Sequence, residues 1–168
     1  MEHSLLQDED ITFGPPTVQR YSYALSKLHT EQLILNEIGD NRLIGVIARV
    51  FGCASPRSNK SWSGGHLPLF IDRAIKNKDI FIHGNGLQTR SMSHAKDIAK
   101  GLFSMAMKIN DLNGEIINIG TDEQMSVIES AKIIIELTQS KSKIIFQDPD
   151  DVFKGYKEIK KRFANTKK

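Results

Sequence analysis

The chain has 168 residues, of which 39% are hydrophobic and 26% are charged, and its formal net charge at pH 7 is +3. A chain of this length and composition can bury one ordinary hydrophobic core, in one domain or in a tight pair of lobes. It contains no apolar run near the ~20 residues that span a bilayer and no basic-then-apolar signal pattern, so a membrane protein is not expected.

The N-terminal third predicts a loop followed by a helix. Residues 1–20 are polar, contain prolines and show no sustained period, so they predict a loop. A helix is predicted over residues 22–38, where Gly39 supplies a stop signal. One stripe of this helix contains Leu25, Leu28, Gln32 and Leu35.

A buried strand and a loop are expected next. Residues 43–48 are nearly all apolar, which is typical of a parallel strand covered on both faces. Residues 53–65 are rich in serine and glycine and predict a loop. The single cysteine, Cys53, excludes an internal disulfide and is typical of the reducing cytoplasm, which is the expected location. We interpret it as a small hydrophobic residue rather than a nucleophile, and no cluster has metal-ligand spacing.

The remaining elements alternate between helix and strand. A helix is predicted over residues 68–76, with Phe70, Ile71, Ala74 and Ile75 inward. It is followed by a strand over 79–82, a turn at 84–86, a strand over 91–93 and a helix over 95–108. The last elements are a strand over 116–119, a helix ending near 138 and a strand over 144–146. Ser126 resembles the N-cap of that last helix, with Glu129 at the capping-box position. The alternation predicts an α/β fold with a largely parallel sheet.

Basic residues are concentrated near the C-terminus. They are Lys154, Lys157, Lys160, Lys161, Arg162, Lys167 and Lys168. Such clusters can bind nucleic acid, but Tyr156 and Phe163 are too few to form a stacking platform. We therefore interpret the cluster as a solvated face and expect no nucleic-acid partner.

Tyr23 and Lys27 stand four residues apart on the first predicted helix, so their side chains share one face. A phenol has an ordinary pKa of about 10, and a nearby positive charge stabilises its phenolate. The pair could therefore serve as the acid/base group of a carbonyl–alcohol oxidoreduction. The same spacing also occurs by chance on solvated helix faces, so the neighbouring motifs decide between the two interpretations.

Four blocks in order along the chain give the motif its context. They are residues 14–33 with Arg20, Tyr23, Lys27 and Glu31, residues 48–57 (ARVF, then PR), residues 82–90 (IHGNGLQTR) with His94 and Asp97 after them, and residues 114–121 (GEIINIGT) with Ser126 and Glu129 after them. Together they resemble the extended short-chain dehydrogenase/reductase family, the NAD-dependent epimerases, dehydratases and decarboxylases of nucleotide sugars. The first block is most similar to that of UDP-glucuronate-decarboxylase-like members.

This resemblance implies a domain organisation. It implies a partial Rossmann-like parallel sheet with helices, plus a small substrate-binding lobe. Residues 1–52 would be the C-terminal remnant of the NAD-binding Rossmann domain. Residues 53–168 would be mostly substrate-binding lobe, with the strand at 116–119 returning to the sheet.

The resemblance also implies roles for four residues in a transient oxidation of a sugar carbon. Tyr23, as phenolate, would take the hydroxyl proton, and Lys27 would hold the ribose hydroxyls of NAD and lower the tyrosine pKa. Phe51 would line the nicotinamide side, although a plain core role fits it equally well. Arg90 would grip the diphosphate of the nucleotide sugar, with UDP-linked sugars expected, and is otherwise a surface arginine after a turn.

Parts of the family pattern are not found in the sequence. Dinucleotide folds hold the pyrophosphate on a glycine-rich turn near their start, and this chain has none there. Its nearest match, Gly84-x-Gly86, has Thr89 where the third glycine should stand, so it does not fit the NAD turn. The resemblance implies that it is a turn on the sugar-nucleotide side. The resemblance implies about four earlier βα units and a Ser/Thr partner for the tyrosine, and the sequence contains neither. We therefore expect a chain truncated at both ends, which argues against NAD binding by this chain alone.

Several positions depart from the family pattern. Gly52 stands where many members carry an Asn that contacts substrate, and Ser55 replaces a glycine. Ser91 and Met92 replace an acidic–aromatic pair, and Asn165 replaces a frequent Asp. These departures leave the sugar and the reaction open.

Three hypotheses follow. The chain could be the C-terminal part of a nucleotide-sugar enzyme that is active only with a Rossmann half. It could be a catalytically silent module that recognises a nucleotide sugar through Arg90. It could also be a structural or interaction protein that uses the helix around Tyr23. The expected protein partner is a second copy of the chain, in a homodimer, or a missing Rossmann half. Titration with NAD and UDP-sugars distinguishes the three.

Overall fold

The computed structural model describes residues 4–5, 21–60, 65–152 and 160–166. Its helices are Tyr21–Gly39 (α1), His66–Ile75 (α2), Ala95–Met107 (α3), Val127–Leu137 (α4) and Pro149–Val152 (α5). Its strands are Ser4–Leu5 (β1), Ile47–Val50 (β2), Cys53–Ala54 (β3), Ile80–His83 (β4), Thr89–Arg90 (β5), Ser93–His94 (β6), Ile116–Ile119 (β7), Met125–Ser126 (β8), Ile144–Gln147 (β9) and Lys161–Ala164 (β10). The predicted motif residues 14–16 and Arg20, and the basic residues Lys154, Lys157, Lys167 and Lys168, lie outside the described ranges.

The strands are mostly parallel. Of the six pairings among the described residues, only the one between β5 and β8 is antiparallel. β2 pairs with β7 so that Ile47 lies opposite Ile116, β3 pairs with β6, and β4 pairs with β9. A further small sheet has the order β1-β10-β5-β8. The predicted α/β class is confirmed, although the described strands form small separate sheets.

The main hydrophobic core lies between α2, α4 and β4. Its buried members are Phe70, Ala74, Ile80, Ile82, Val127, Ala131 and Ile134. Phe70 and Ala74 lie one turn apart on the buried stripe of α2, whereas Ile71 and Ile75 are 43% and 66% exposed. The prediction that Ile71 and Ile75 point inward was wrong, because α2 packs through a single i, i+4 stripe.

The start of α4 was predicted from local chemistry, and the structure confirms it. The Ser126 hydroxyl accepts a hydrogen bond from the Glu129 amide at 3.2 Å, and the Glu129 carboxylate accepts one from the Ser126 amide at 2.9 Å. The Ser126 hydroxyl also donates to this carboxylate at 2.6 Å, and this bond first, then the one from the Ser126 amide, lowers the pKa of the Glu129 carboxyl. This capping box satisfies two amides that the helix itself leaves without partners.

The strand predicted over residues 43–48 begins later than expected, at Ile47. The Leu43 amide donates to the Glu37 carbonyl at 3.2 Å, so the chain there still completes the end of α1. The Gly45 amide donates to the Asn113 side chain at 2.9 Å rather than to a neighbouring strand. Hydrophobicity located the strand, but tertiary hydrogen bonds set its start.

Two segments predicted as loop contain short strands. Cys53–Ala54 (β3) pairs with Ser93–His94 (β6), and Ser4–Leu5 (β1) pairs with the C-terminal strand β10. The predicted strand at 91–93 is found two residues later, as β6. Two-residue strands carry no detectable alternation of polar and apolar residues, so periodicity could not predict them.

Helix α1 is attached to the sheet by an ion pair. α1 has no fully buried residue, and its Leu25, expected on the packed stripe, is exposed. The Arg49 guanidinium of β2 donates to both oxygens of the Glu31 carboxylate of α1, at 3.0 and 2.7 Å. The two side chains are only 14% and 15% exposed, so water screens the pair weakly. The bond to Glu31 is the main cause of a raised pKa at Arg49.

We predict that Arg49→Lys lowers the free energy of unfolding by about 2 kcal/mol. An ammonium cannot reproduce the two parallel hydrogen bonds of the guanidinium, so the Glu31 carboxylate loses one of them. Urea denaturation measures this change. Arg42→Lys is the matched control, since Arg42 pairs with Glu37 and Asp40 in solvent. Equal losses in the two variants would contradict a special role for the Arg49 pair.

Candidate functional site

Tyr23 and Lys27 lie together on α1, as their spacing predicted. The Lys27 ammonium nitrogen is 5.5 Å from the centre of the Tyr23 ring. At this distance the ring face attracts the ammonium, and the positive charge lies close to the phenol. Tyr23 is 71% exposed, so a ligand can approach it from the solvent.

Phe51 lies directly after β2, at the carboxyl end of the β2–β7 pair. Its amide donates to the Ile119 carbonyl at 2.9 Å. A Cβ on Gly120 would stand 3.0 Å from the Cβ of Phe51 and 3.1 Å from that of Ala164, so Gly120 allows this close packing. In open α/β sheets, ligands bind at the carboxyl ends of strands, which is where Phe51 is found.

Arg90 lies in a cleft of about 220 Å³ between β5, the start of α2 and the segment before α4. The cleft is lined by His66, Leu67, Arg90, Met92, Thr121, Glu123, Gln124, Met125 and Ser130. Arg90 donates to the Thr89 carbonyl at 2.7 Å, and the Thr89 hydroxyl donates to the Gln124 side chain at 2.7 Å. The antiparallel β5–β8 pairing and the Thr89–Gln124 bond thus bring distant segments together around one guanidinium.

His66 is a cleft residue that the sequence motifs did not indicate. Its ring packs edge-to-face on Phe70, with centroids 5.3 Å apart. Burial, and secondly the positive charge of Arg90, lower the pKa of His66 to about 4, so its imidazole is neutral at pH 7. A lone histidine at a helix start has no spacing signature, so only the fold could reveal it.

The ancestry of the chain follows from its similarity to known proteins. Residues 2–120 match the NAD dependent epimerase/dehydratase family. The chain belongs to this family. The resemblance seen in the sequence motifs is thereby confirmed.

Two curated members of the NAD dependent epimerase/dehydratase family are similar over much of the chain. A UDP-N-acetyl-alpha-D-glucosaminuronate decarboxylase from Bacillus cytotoxicus is 32% identical over 163 residues, which are 96% of this chain and 50% of that protein. A dTDP-D-glucose 4,6-dehydratase from Homo sapiens is 31% identical over 130 residues, which are 77% of this chain and 36% of that protein. The chain spans half or less of the length of these two relatives.

One solved structure that shares the fold of this chain is an epimerase. It is a UDP-glucuronic acid 4-epimerase from Bacillus cereus in complex with UDP-glucuronic acid and NAD, with a TM-score of 0.79 at 23% identity. The match covers 99% of this chain and 49% of that one. Among the described residues, no helix is long and apolar enough to cross a membrane, and no group of three or more His, Cys, Asp or Glu is placed to hold a metal ion.

Gly52 and Met92, where the sequence motifs predict departures from the family pattern, belong to one contact. A Cβ on Gly52 would lie 2.0 Å from the Ser91 carbonyl oxygen and 2.7 Å from the Met92 sulfur. The Ser93 amide donates to the Gly52 carbonyl at 2.8 Å, which holds the two backbones close. An asparagine at position 52 therefore does not fit this backbone, and Met92 lines the neighbouring cleft instead.

We predict that Gly52→Ala lowers the free energy of unfolding by about 2 kcal/mol or more, because the new methyl group must displace backbone atoms. Thermal unfolding should show a midpoint lower by several degrees. Gly39→Ala serves as the control, since a Cβ at Gly39 meets no atom within 4 Å. An unchanged midpoint for Gly52→Ala would disprove the close approach.

Proposed function

We propose that this chain supplies the Tyr–Lys pair and the sugar-nucleotide site of an NAD-dependent enzyme that epimerises, dehydrates or decarboxylates a nucleotide sugar. The observation that carries the proposal is the 5.5 Å approach of the Lys27 ammonium to the Tyr23 ring on an accessible helix face. The relatives support the substrate class, because their names specify UDP-linked and dTDP-linked sugars.

In this proposal Tyr23 is the acid/base. Its phenolate accepts the proton of a sugar hydroxyl as that carbon is oxidised, and returns a proton when the carbon is reduced. The Lys27 ammonium stabilises the phenolate through its charge. The oxidised sugar carbon is a ketone, which acidifies the adjacent position and so permits epimerisation, elimination or decarboxylation.

NAD fits part of the described surface. When bound, it supplies the hydride acceptor of the reaction. The Lys27 ammonium suits the ribose hydroxyls, and the Phe51 ring suits the nicotinamide side. The described residues offer no glycine-rich clamp for the pyrophosphate, because the turn at Gly84 (φ 70°) and Gly86 (φ 73°) leads into β5 rather than into a helix.

Arg90 is the proposed diphosphate ligand. Its guanidinium can form two parallel hydrogen bonds with phosphate oxygens, which a lysine cannot do. Thr121 and Gln124 line the same cleft and can hydrogen-bond sugar or phosphate oxygens, while Leu67 and Met125 offer apolar contact. The cleft therefore combines a fixed positive charge with apolar walls, as nucleotide sites commonly do.

An apolar surface beside β2 is the proposed docking site for the other Rossmann half. It is lined by Ile34, Leu43, Ile44, Gly45, Val46, Ala48, Leu102, Met105, Ala106 and Ile109. Leu43 and Ile44 are exposed, and within the described part of the chain β2 pairs with β7 alone. Parallel strands are normally covered on both faces and at both edges, so this surface favours association. The relatives are at least twice as long as the matched region, which supports a Rossmann half as the occupant over a second copy of this chain.

A silent binding module is the second candidate. The observation that favours it is that the Arg90 cleft is built from described residues, whereas a pyrophosphate clamp for NAD is not found among them. Such a module would bind nucleotide sugar but catalyse no reaction.

We predict that Arg90→Lys weakens UDP-glucose binding by about tenfold, because one charge-assisted hydrogen bond is lost. Isothermal titration calorimetry of the full chain measures this change. Arg42→Lys, in the exposed turn that follows α1, should bind like the wild type. If the wild type binds UDP-glucose and Arg90→Lys binds it equally well, the ligand does not bind at Arg90.

We predict that Tyr23→Phe lowers turnover at least about a hundredfold, with little change in KM, once a Rossmann half is restored. The N-terminal half of the Bacillus cytotoxicus relative, mixed with or fused to this chain, is a suitable partner. Tyr21→Phe, on the same helix, is the matched control. Saturable NAD binding by the isolated chain would refute the need for a partner, and an assembled but inactive complex would favour the silent module.

A further inference from the structure

His66 and Arg90 face the same cleft from two separate elements. His66 opens α2, and Arg90 belongs to β5. The edge-to-face contact with Phe70 holds the imidazole ring on one side, so its orientation is restricted. Both side chains line the cleft and so are placed to contact a ligand bound in it.

Burial and, secondly, the nearby charges set the protonation of His66. Among the described residues that line the cleft, the charged ones are Arg90, from β5, and Glu123, from the segment before β8. Burial lowers the pKa of His66 to about 4, and the charge of Arg90 acts in the same direction. A bound dianion changes this balance, because it offsets the guanidinium charge and attracts a proton to the imidazole.

We propose that His66 takes up a proton when a nucleotide sugar binds beside Arg90, so that affinity for this dianionic ligand rises in mildly acid solution. The inference rests on the nucleotide-sugar site proposed above. His66 then acts as a second, pH-dependent cation of that site. Binding and protonation are linked, so each strengthens the other by the same factor.

The experiment measures UDP-glucose binding to the full chain by calorimetry at about pH 5 and about pH 7.5. The pyrophosphate diester of UDP-glucose stays dianionic over this range, so the ligand itself does not titrate. If binding raises the pKa of His66 by about 1.5 to 2 units, wild-type affinity should be about four- to tenfold higher at the lower pH. His66→Gln should abolish this difference, and His29→Gln, which removes an exposed histidine on α1, should retain it.

A second readout does not depend on the binding constant. Imidazole NMR signals should place the pKa of His66 near 4 in the free chain and higher in the complex.

The lowered pKa of His66 also fixes how the stability of the free chain changes with pH. The unfolded imidazole binds protons more readily than the folded one, so stability is lost as pH falls from about 6.5 towards the folded value. His66→Gln should reduce that loss relative to the wild type, as urea denaturation can show.

The possible outcomes separate the two proposals. Binding that is equally strong at both pH values overturns the His66 inference and leaves the nucleotide-sugar site standing. A pH dependence that persists in His66→Gln assigns the proton to another group and overturns it as well. Absence of UDP-glucose binding at both pH values overturns the proposed site and the inference together.

Discussion

The ion pair between Glu31 and Arg49 sets where the Tyr–Lys pair stands relative to the sheet. Helix α1 buries no side chain completely, so apolar packing alone restrains it weakly. The two-pronged contact joins the middle of α1 to β2, and Phe51 follows directly at the end of that strand. Because both charges are largely shielded from water, the contact is directional and costly to break. The proposed acid/base helix and the proposed nicotinamide-lining residue are thus placed through one interaction.

A second constraint comes from the C-terminal strand. β10 lies between β1, which precedes α1 in the chain, and β5, which carries Arg90. Ala164 in β10 is fully buried, and the Asn118 side chain of β7 donates to the Asn165 carbonyl at 3.0 Å. The absence of a side chain at Gly120 lets Ala164 and Phe51 approach each other. The two ends of the sequence therefore meet beside the strand that positions Arg90.

Local signals predicted much of the fold. The capping box at Ser126, the amphipathic helices and the apolar strands at 116–119 and 144–146 were each predicted from a few neighbouring residues, because helix caps and buried strands depend on local chemistry. The β2 boundary was missed, since the Gly45 amide is satisfied by Asn113, far away in the sequence. The short strands β1, β3, β5, β8 and β10 were missed because two to four residues paired across long separations leave no periodic pattern.

By itself, the sequence determined the family and the Tyr23–Lys27 pair, because a four-residue spacing on a helix fixes a shared face and four ordered motifs fix an ancestry. It also identified Arg90 as a residue of interest. Only the tertiary structure gathered Arg90, His66, Thr121 and Gln124 into one cleft, since these residues come from separate elements whose proximity depends on strand pairing. It also showed that the segments of Gly52 and Met92 meet, because a backbone contact too close for any side chain joins them.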